Sequence, residues 1–176
     1  MPSQVQIRRL ARIDIGEMQK LRREALELYP LAFSASAQDD LALDTGFIER
    51  SLQSSTTSAI FGAVENDQWV GMVGVYRHEG RKENHRAQLW GMYVTPELRR
   101  RGIGLSLLSA AIEHVGAWPG VLQIQLCVTE AASDARSLYE SAGFQVWGCE
   151  PRALQWEGEF VDEYHLVLPL TPAVGV

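Results

Sequence analysis

The chain has little cysteine, little histidine and no long apolar run, and each scarcity removes a class of protein. Cys127 and Cys149 are the only two cysteines in 176 residues, too few for a disulfide framework, and they form no zinc or redox pattern. They read as two buried thiols in neighbouring strands. The four histidines (His78, His85, His114, His165) lack metal-ligand spacing, so no metal is expected. No apolar run approaches the roughly 20 residues that cross a bilayer. The first ten residues alternate polar and apolar and lack a leader's apolar core. A soluble, cytoplasmic protein with no membrane partner is the expectation. Basic charge is also short. The 16 Lys and Arg against 22 Asp and Glu leave a net charge of −6, where a nucleic-acid binder shows a basic excess. That balance fits a cationic or amine partner somewhat better.

What is present is an ordinary globular balance, with 46% hydrophobic and 22% charged residues. The length fits one domain, residues 1–176, with a core large enough to fold alone. Residues 5–10 read as a strand. Asp14 and Glu17 form a capping-box pattern, with Ile13 and Met18 placed as a hydrophobic staple. Met18, Leu21, Ala25 and Leu28 then recur at helical spacing, and Pro30 ends the helix. A second helix spans 45–53. Strands 59–65 and 68–76 flank the turn pair Asn66-Asp67. A charged loop, 78–86, leads to a third strand of the meander, 87–94. Beyond Pro96 a basic, glycine-bearing loop opens a helix whose apolar face is Leu105, Leu108, Ile112 and Val115. Pro119-Gly120 stops it. Residues 121–128 read as a buried strand. Ala131, Ala135, Leu138 and Ala142 mark another helix, ended by Gly143. Strands 144–148 and 161–168 complete an α/β (α+β) fold with a mixed sheet and helices on both faces.

The stretch 94–104, Val-Thr-Pro-Glu-Leu-Arg-Arg-Arg-Gly-Ile-Gly, carries the most chemistry. A strand enters a tight loop, and the loop enters a helix start. There several backbone N–H groups lack partners, and the helix dipole adds positive character. Gly102 and Gly104 carry no side chain to hold an anion away. Arg99, Arg100 and Arg101 can neutralise negative charge. Together these suit a pyrophosphate. The alternative is a solvated basic turn. A Walker loop is excluded because no Lys-Ser/Thr follows, and a dinucleotide fingerprint because the third glycine is missing.

The run Arg99 to Gly104 resembles the Arg/Gln-x-x-Gly-x-Gly/Ala signature of the GCN5-related N-acetyltransferases, the GNAT superfamily. Gly91-Met92-Tyr93-Val94 and Pro96 look like that family's fourth strand and its exit. Leu138-Tyr139-Glu140-Ser141-Ala142-Gly143-Phe144 is similar to its Leu-Tyr-x-x-x-Gly-Phe helix end. Order and separation of the two motifs also fit. The resemblance implies a GNAT-like, mostly antiparallel sheet of about seven strands with a splay between the fourth and fifth. It implies acetyl-CoA as acyl-donor cosubstrate. Its pantetheine arm would pair with the backbone of Met92, Tyr93 and Val94. Its pyrophosphate would sit on the amides of Arg100, Arg101, Gly102, Ile103, Gly104 and Leu105, with Arg99 fixing the loop or touching phosphate. The resemblance makes Tyr139 the partner of the leaving thiolate; the alternative is a buried tyrosine of an amphipathic helix. The family commonly has asparagine where this chain has Ala132, and Ser133 or a water is its nearest substitute.

The chemistry constrains the rest. An alkyl amine with a pKa of about 10.4 is deprotonated in roughly one molecule in 2,500 near neutrality, a cost of about 4 to 5 kcal/mol. Attack on a thioester builds an oxyanion that fixed N–H donors stabilise. A phenol near pKa 10 gives its proton to a thiolate near 8.5 only uphill, by roughly 2 kcal/mol in water. Tyr139 therefore reads mainly as a hydrogen-bond donor to sulfur. No carboxylate stands on the strand before Val94. Glu130 is the first candidate base, with His85, His165 or a water chain behind it, and a solvated loop carboxylate is the simpler reading of Glu130.

The resemblance places the acceptor between segments 29–44 and 151–159. The first holds Phe33, Asp39, Asp40 and Asp44, and the second holds Trp156, Glu157 and Glu159. Such a lining suits a cationic amine, although ordinary acidic loops are the simpler reading. The expected activity is N-acetylation of a small-molecule primary amine. Acetylation of a protein N-terminus or lysine is one alternative, and a non-catalytic acyl-CoA-binding or sensing module is another. Trp118, Trp147 or Trp156, if exposed, would favour a homodimer.

Overall fold

The computed structural model describes residues 5–54 and 56–170, so part of the segment read as lacking a leader lies outside it. Among the described residues there are seven strands: β1 Gln6–Arg9, β2 Ser58–Glu65, β3 Gln68–Arg77, β4 Arg86–Val94, β5 Gln123–Thr129, β6 Gln145–Trp156 and β7 Glu159–Pro169. The α-helices are α1 Ile15–Leu28, α2 Thr45–Ser51, α3 Ile103–Gly116 and α4 Ser133–Ser141. They build one sheet in the order β1-β2-β3-β4-β5-β7-β6. Every pairing is antiparallel except β4 with β5. Among the described residues no helix is long and apolar enough to cross a membrane.

Local chemistry explains the joints. Asn66 and Asp67 take φ of 52° and 62°, the pair of positive angles a two-residue hairpin turn requires. Asp44 caps α2, its Oδ1 accepting the Phe47 N–H at 2.6 Å. Two apolar clusters hold helices to opposite faces of the sheet. On one, Ile103, Leu107, Leu108, Ala111 and Val115 of α3 pack with Val73, Val75, Leu89, Ile124 and Leu126. On the other, Ile15, Met18, Leu21 and Ala25 of α1 and Ile48 of α2 pack with Ile60, Met72 and Tyr93. Each large aliphatic side chain buried this way contributes about 1.5–3 kcal/mol.

Several sequence expectations are corrected. Ile13 is 90% exposed, so the staple is absent. The Asp14 carboxylate instead accepts from Arg8 Nη1 and Nη2 at 2.6 and 2.7 Å and from the Ala11 N–H at 2.9 Å. A bidentate guanidinium on the neighbouring strand wins that carboxylate from the helix end. Leu28 and Leu105 are 57% and 48% exposed, because each helix is rotated slightly from its expected face. Cys127 and Cys149 are exposed, not buried. They are not in adjacent strands either, since β7 runs between β5 and β6. The expected short strand 144–148 and loop 151–159 are one long hairpin, β6 and β7, turning at Glu157 and Gly158 with a register shift between Glu150 and Leu154. Trp118 is buried in the core, while Trp147 and Trp156 are exposed.

One close approach fixes the position of Trp90. A Cβ at Gly74 would lie 2.1 Å from Trp90 Cε2, so the indole lies flat on bare backbone. Gly74→Ala is expected to destabilise the fold by about 1–3 kcal/mol, as other overpacked sites do, read as a lowered urea midpoint.

Candidate active site

The parallel pairing of β4 and β5 covers only Arg86↔Gln123, Ala87↔Ile124 and Gln88↔Gln125. Beyond Gln88 the two strands part. The register of β4 with β3 also slips, from Gly74↔Trp90 to Met72↔Tyr93, and Gly91 stands in that bulge at φ 65°. The gap is a cavity lined by Phe33, Trp90, Gly91, Met92, Cys127 and Tyr139 among others. Facing edges without strand partners keep free backbone donors and acceptors, which is what an extended amide-bearing arm can pair with.

The basic loop lies at the end of β4. Arg99 Nε donates to the Val94 carbonyl at 2.9 Å, and its guanidinium stacks 4.7 Å from the Tyr29 ring centre. Arg101 pairs with Glu65 at 3.2 Å. Arg100 at φ 61° and Gly102 at φ 78° turn the backbone twice into the left-handed region just before α3. Gly102 is the N-cap of α3 and offers no capping side chain, so the N–H groups of the first helical turn keep their anion-binding capacity. A Cβ at Gly104 would meet Leu138 Cδ2 at 3.1 Å, so this glycine also seats α3 against α4. Leu105 is exposed in that first turn.

Tyr139 is buried, lines the gap and stacks edge-on against Phe144 at 5.9 Å between centroids. Burial pushes its phenol well above the ordinary value, which further disfavours outright proton donation. Ala132 and Ala135 also line the gap, whereas Ser133 is exposed at the start of α4. Glu130 Oε1 accepts the Asp162 N–H at 3.0 Å and so ties the end of β5 to the hairpin. His85 stands before β4, at the closed end of the β4–β5 pair, where its carbonyl accepts the Leu122 N–H at 2.7 Å.

The gap borders a group that chain spacing did not reveal. Cys127, Glu163 and His165 bring their side-chain donor atoms within 4.8 Å of one another. Cys127 Sγ lies 3.2 Å from His165 Nδ1, and His165 Nε2 lies 3.6 Å from Glu150. Cross-strand register assembles the group: Cys127 faces His165 and Thr129 faces Glu163. Burial raises the Glu163 carboxyl above the usual range, with His165 opposing. Cys127 is exposed as a residue, but partial desolvation of its sulfur in the gap first, and then Glu163, pushes the thiol up to about 11. The available signal was the alternation Glu163-x-His165, which sets two titratable side chains on one strand face.

The acidic segment before α2 is largely committed to structure. Asp39 holds the Ser36 turn and Asp44 caps α2. Asp40 accepts from Arg22 Nε at 2.6 Å, and both side chains are buried. Thr129 Oγ1 donates to the Leu31 carbonyl at 2.7 Å and draws this segment across the gap.

Such a splayed sheet with a bulged β4 and an uncapped glycine-started α3 is the frame of an acyltransferase fold. The Acetyltransferase (GNAT) family model matches residues 18–144, and the chain belongs to that family. Mycothiol acetyltransferase of Kocuria rhizophila is 37% identical over 60 residues, 34% of this chain and 20% of that protein. The L-amino acid N-acetyltransferase AaaT of Escherichia coli is 27% identical over 97 residues, 55% of this chain and 59% of that protein. The chain thus spans about a fifth and three-fifths of these curated relatives. An N-acetyltransferase from Staphylococcus aureus superposes with a TM-score of 0.85 at 16% identity, covering 96% of this chain and all of that one. The putative acetyltransferase yncA from Salmonella typhimurium, solved with acetyl-CoA, gives 0.83 at 18% identity, covering 99% and 98%. The two structures share the fold.

Proposed function

We propose that the chain is an acetyl-CoA-dependent N-acetyltransferase that moves an acetyl group directly onto the primary amine of a small molecule. The observation that carries this reading is the β4–β5 gap, with the α3 N-terminus close to the end of β4 and the Cys127–Glu163–His165 group beside β5. Both curated relatives are named for small acceptors.

Acetyl-CoA supplies an activated thioester when bound. The bulged edge of β4, Met92 to Val94, pairs with its amide arm. The amides from Arg100 to Leu105 hold its pyrophosphate, and Arg99 braces the loop against Val94. Tyr139 donates a hydrogen bond to the departing sulfur. Ser133, exposed at the helix start, stays a peripheral contact. Glu163, beside Cys127 and His165, is preferred as the proton acceptor to Glu130, one oxygen of which accepts the Asp162 N–H. A carboxyl held above its usual range is closer in basicity to an amine than an ordinary one.

The test is thiol release from acetyl-CoA with a panel of small amines, together with mass spectrometry of the products. Amine-dependent release with acetylated product is the expected result. Tyr139→Phe is expected to lower kcat by about 10²-fold, the scale of removing one transition-state donor, with acetyl-CoA still bound. Binding without any amine-dependent release would turn the reading toward an acyl-CoA-sensing module.

A further inference from the structure

Arg22 is a buried cation with a donor left over. It sits in the middle of α1 with its side chain 5% exposed, and Asp40 takes its Nε. Its Nη1 is buried and has no hydrogen-bond partner. Native proteins rarely leave such a group unsatisfied, because its desolvation is then uncompensated. Burial pulls the Arg22 pKa down and Asp40 resists this, yet a guanidinium keeps its charge in proteins.

The unused donor lies one layer behind the gap, since Arg22 packs against lining residues without lining the cavity itself. Nη1 lies 3.6 Å from where a Cβ of Gly91 would stand. The guanidinium carbon is 4.7 Å from the Phe33 ring centre and 5.8 Å from that of Trp90. Gly91, Phe33 and Trp90 all line the cavity, and so does Cys127 of the proposed amine-receiving group. Phe33 belongs to a loop segment rather than the sheet, so its ring can turn aside without breaking a ladder.

We propose that the acceptor carries a carboxylate near its amine, as an amino acid does, and that Arg22 holds that carboxylate through Nη1. The idea rests on the acetyltransferase reading and narrows its substrate class. A planar guanidinium fork fixed by Asp40 and flanked by two rings is preorganised for a planar anion. The amine then falls on the side of Cys127, Glu163 and His165. One cavity thereby takes both ends of a zwitterion. Asp40 has a defined part as well, since it fixes the fork and leaves one arm free.

The experiment compares each standard L-amino acid with its primary amide, first as calorimetric ligands of the protein with CoA present, then as acceptors. Expected is at least one amino acid bound about 100-fold more tightly than its amide, the scale at which a site built for a polar group rejects the analogue lacking it. Arg22→Lys keeps a charge beside Asp40 but loses the fork, and is expected to shrink the acid-to-amide ratio at least tenfold. If that variant does not fold, Asp40→Asn, which loosens the anchor of the fork, takes its place and is expected to shrink the ratio likewise. Ratios near one for every pair overturn the proposal, even where amides are acetylated and the enzyme reading stands. A high ratio that Arg22→Lys leaves unchanged also overturns it. Acid-selective binding that Arg22→Lys weakens, with no turnover of any amine, upholds Arg22 while the enzyme reading fails.

Discussion

Gly102→Glu is expected to abolish measurable acetyl-CoA binding while leaving the fold in place. Space is not the reason, because a Cβ at 102 meets nothing within 4 Å. Two other effects act. The residue sits at φ 78°, a left-handed conformation that costs a non-glycine residue about 1–2 kcal/mol. More important is charge. Two unit charges 4 Å apart near a protein surface repel by about 4 kcal/mol, roughly a thousandfold in affinity. Gly102→Asn separates the two effects, since asparagine tolerates the conformation and adds no charge. Calorimetric titration with acetyl-CoA should find little or no heat for the glutamate and a clear isotherm for the asparagine. Equal, tight binding by both would remove the phosphate from this loop.

What sequence could and could not show divides along the range of the forces involved. Asn66-Asp67 was legible because a two-residue turn needs only its own two backbone conformations. The helix start at Ile103 was legible for a similar reason, since strand, tight loop and glycine follow one another in eleven residues. The sheet order was not. Residues 144–169 form a hairpin, and the side of β5 on which it adds is decided by burial across the whole domain. That placement exposes Cys127 and brings Glu163 and His165 to it from 36 and 38 positions away. The fate of carboxylates was equally hidden. Asp14, Asp39, Asp40 and Asp44 look alike in a string. In the fold each is taken by the nearest strong donor: Arg8, the Ser36 turn, Arg22 and the Phe47 N–H. Part of the acidic acceptor lining expected from composition is therefore framework. The informative group in that segment is the cation it holds, which helical periodicity alone had left unremarked on the buried face of α1.

Glu163→Gln is expected to lower kcat/KM by about 10²–10⁴-fold, the range a positioned general base contributes. The amide keeps the size of the side chain and can still hydrogen-bond Cys127, but it accepts no proton. The pH profile makes the assignment specific. In the wild type, rate rises as Glu163 loses its proton, and burial has moved that ionisation above the ordinary glutamate value of about 4.3. The acid limb should therefore lie above that value and vanish in the variant. An acid limb that survives in the variant would transfer the role to another base, with His165, whose Nδ1 already faces the Cys127 sulfur, the nearest. Stability runs the other way. A carboxyl whose folded pKa is raised stabilises the fold fully only below its unfolded pKa, and that stability is lost as pH rises through the folded value. At neutral pH the wild type thus carries a half-buried charge beside Glu150 that the glutamine removes. Glu163→Gln should then unfold in urea at the same or a higher concentration than the wild type. A variant that is no less stable, yet has lost both rate and acid limb, has lost a proton acceptor rather than its structure.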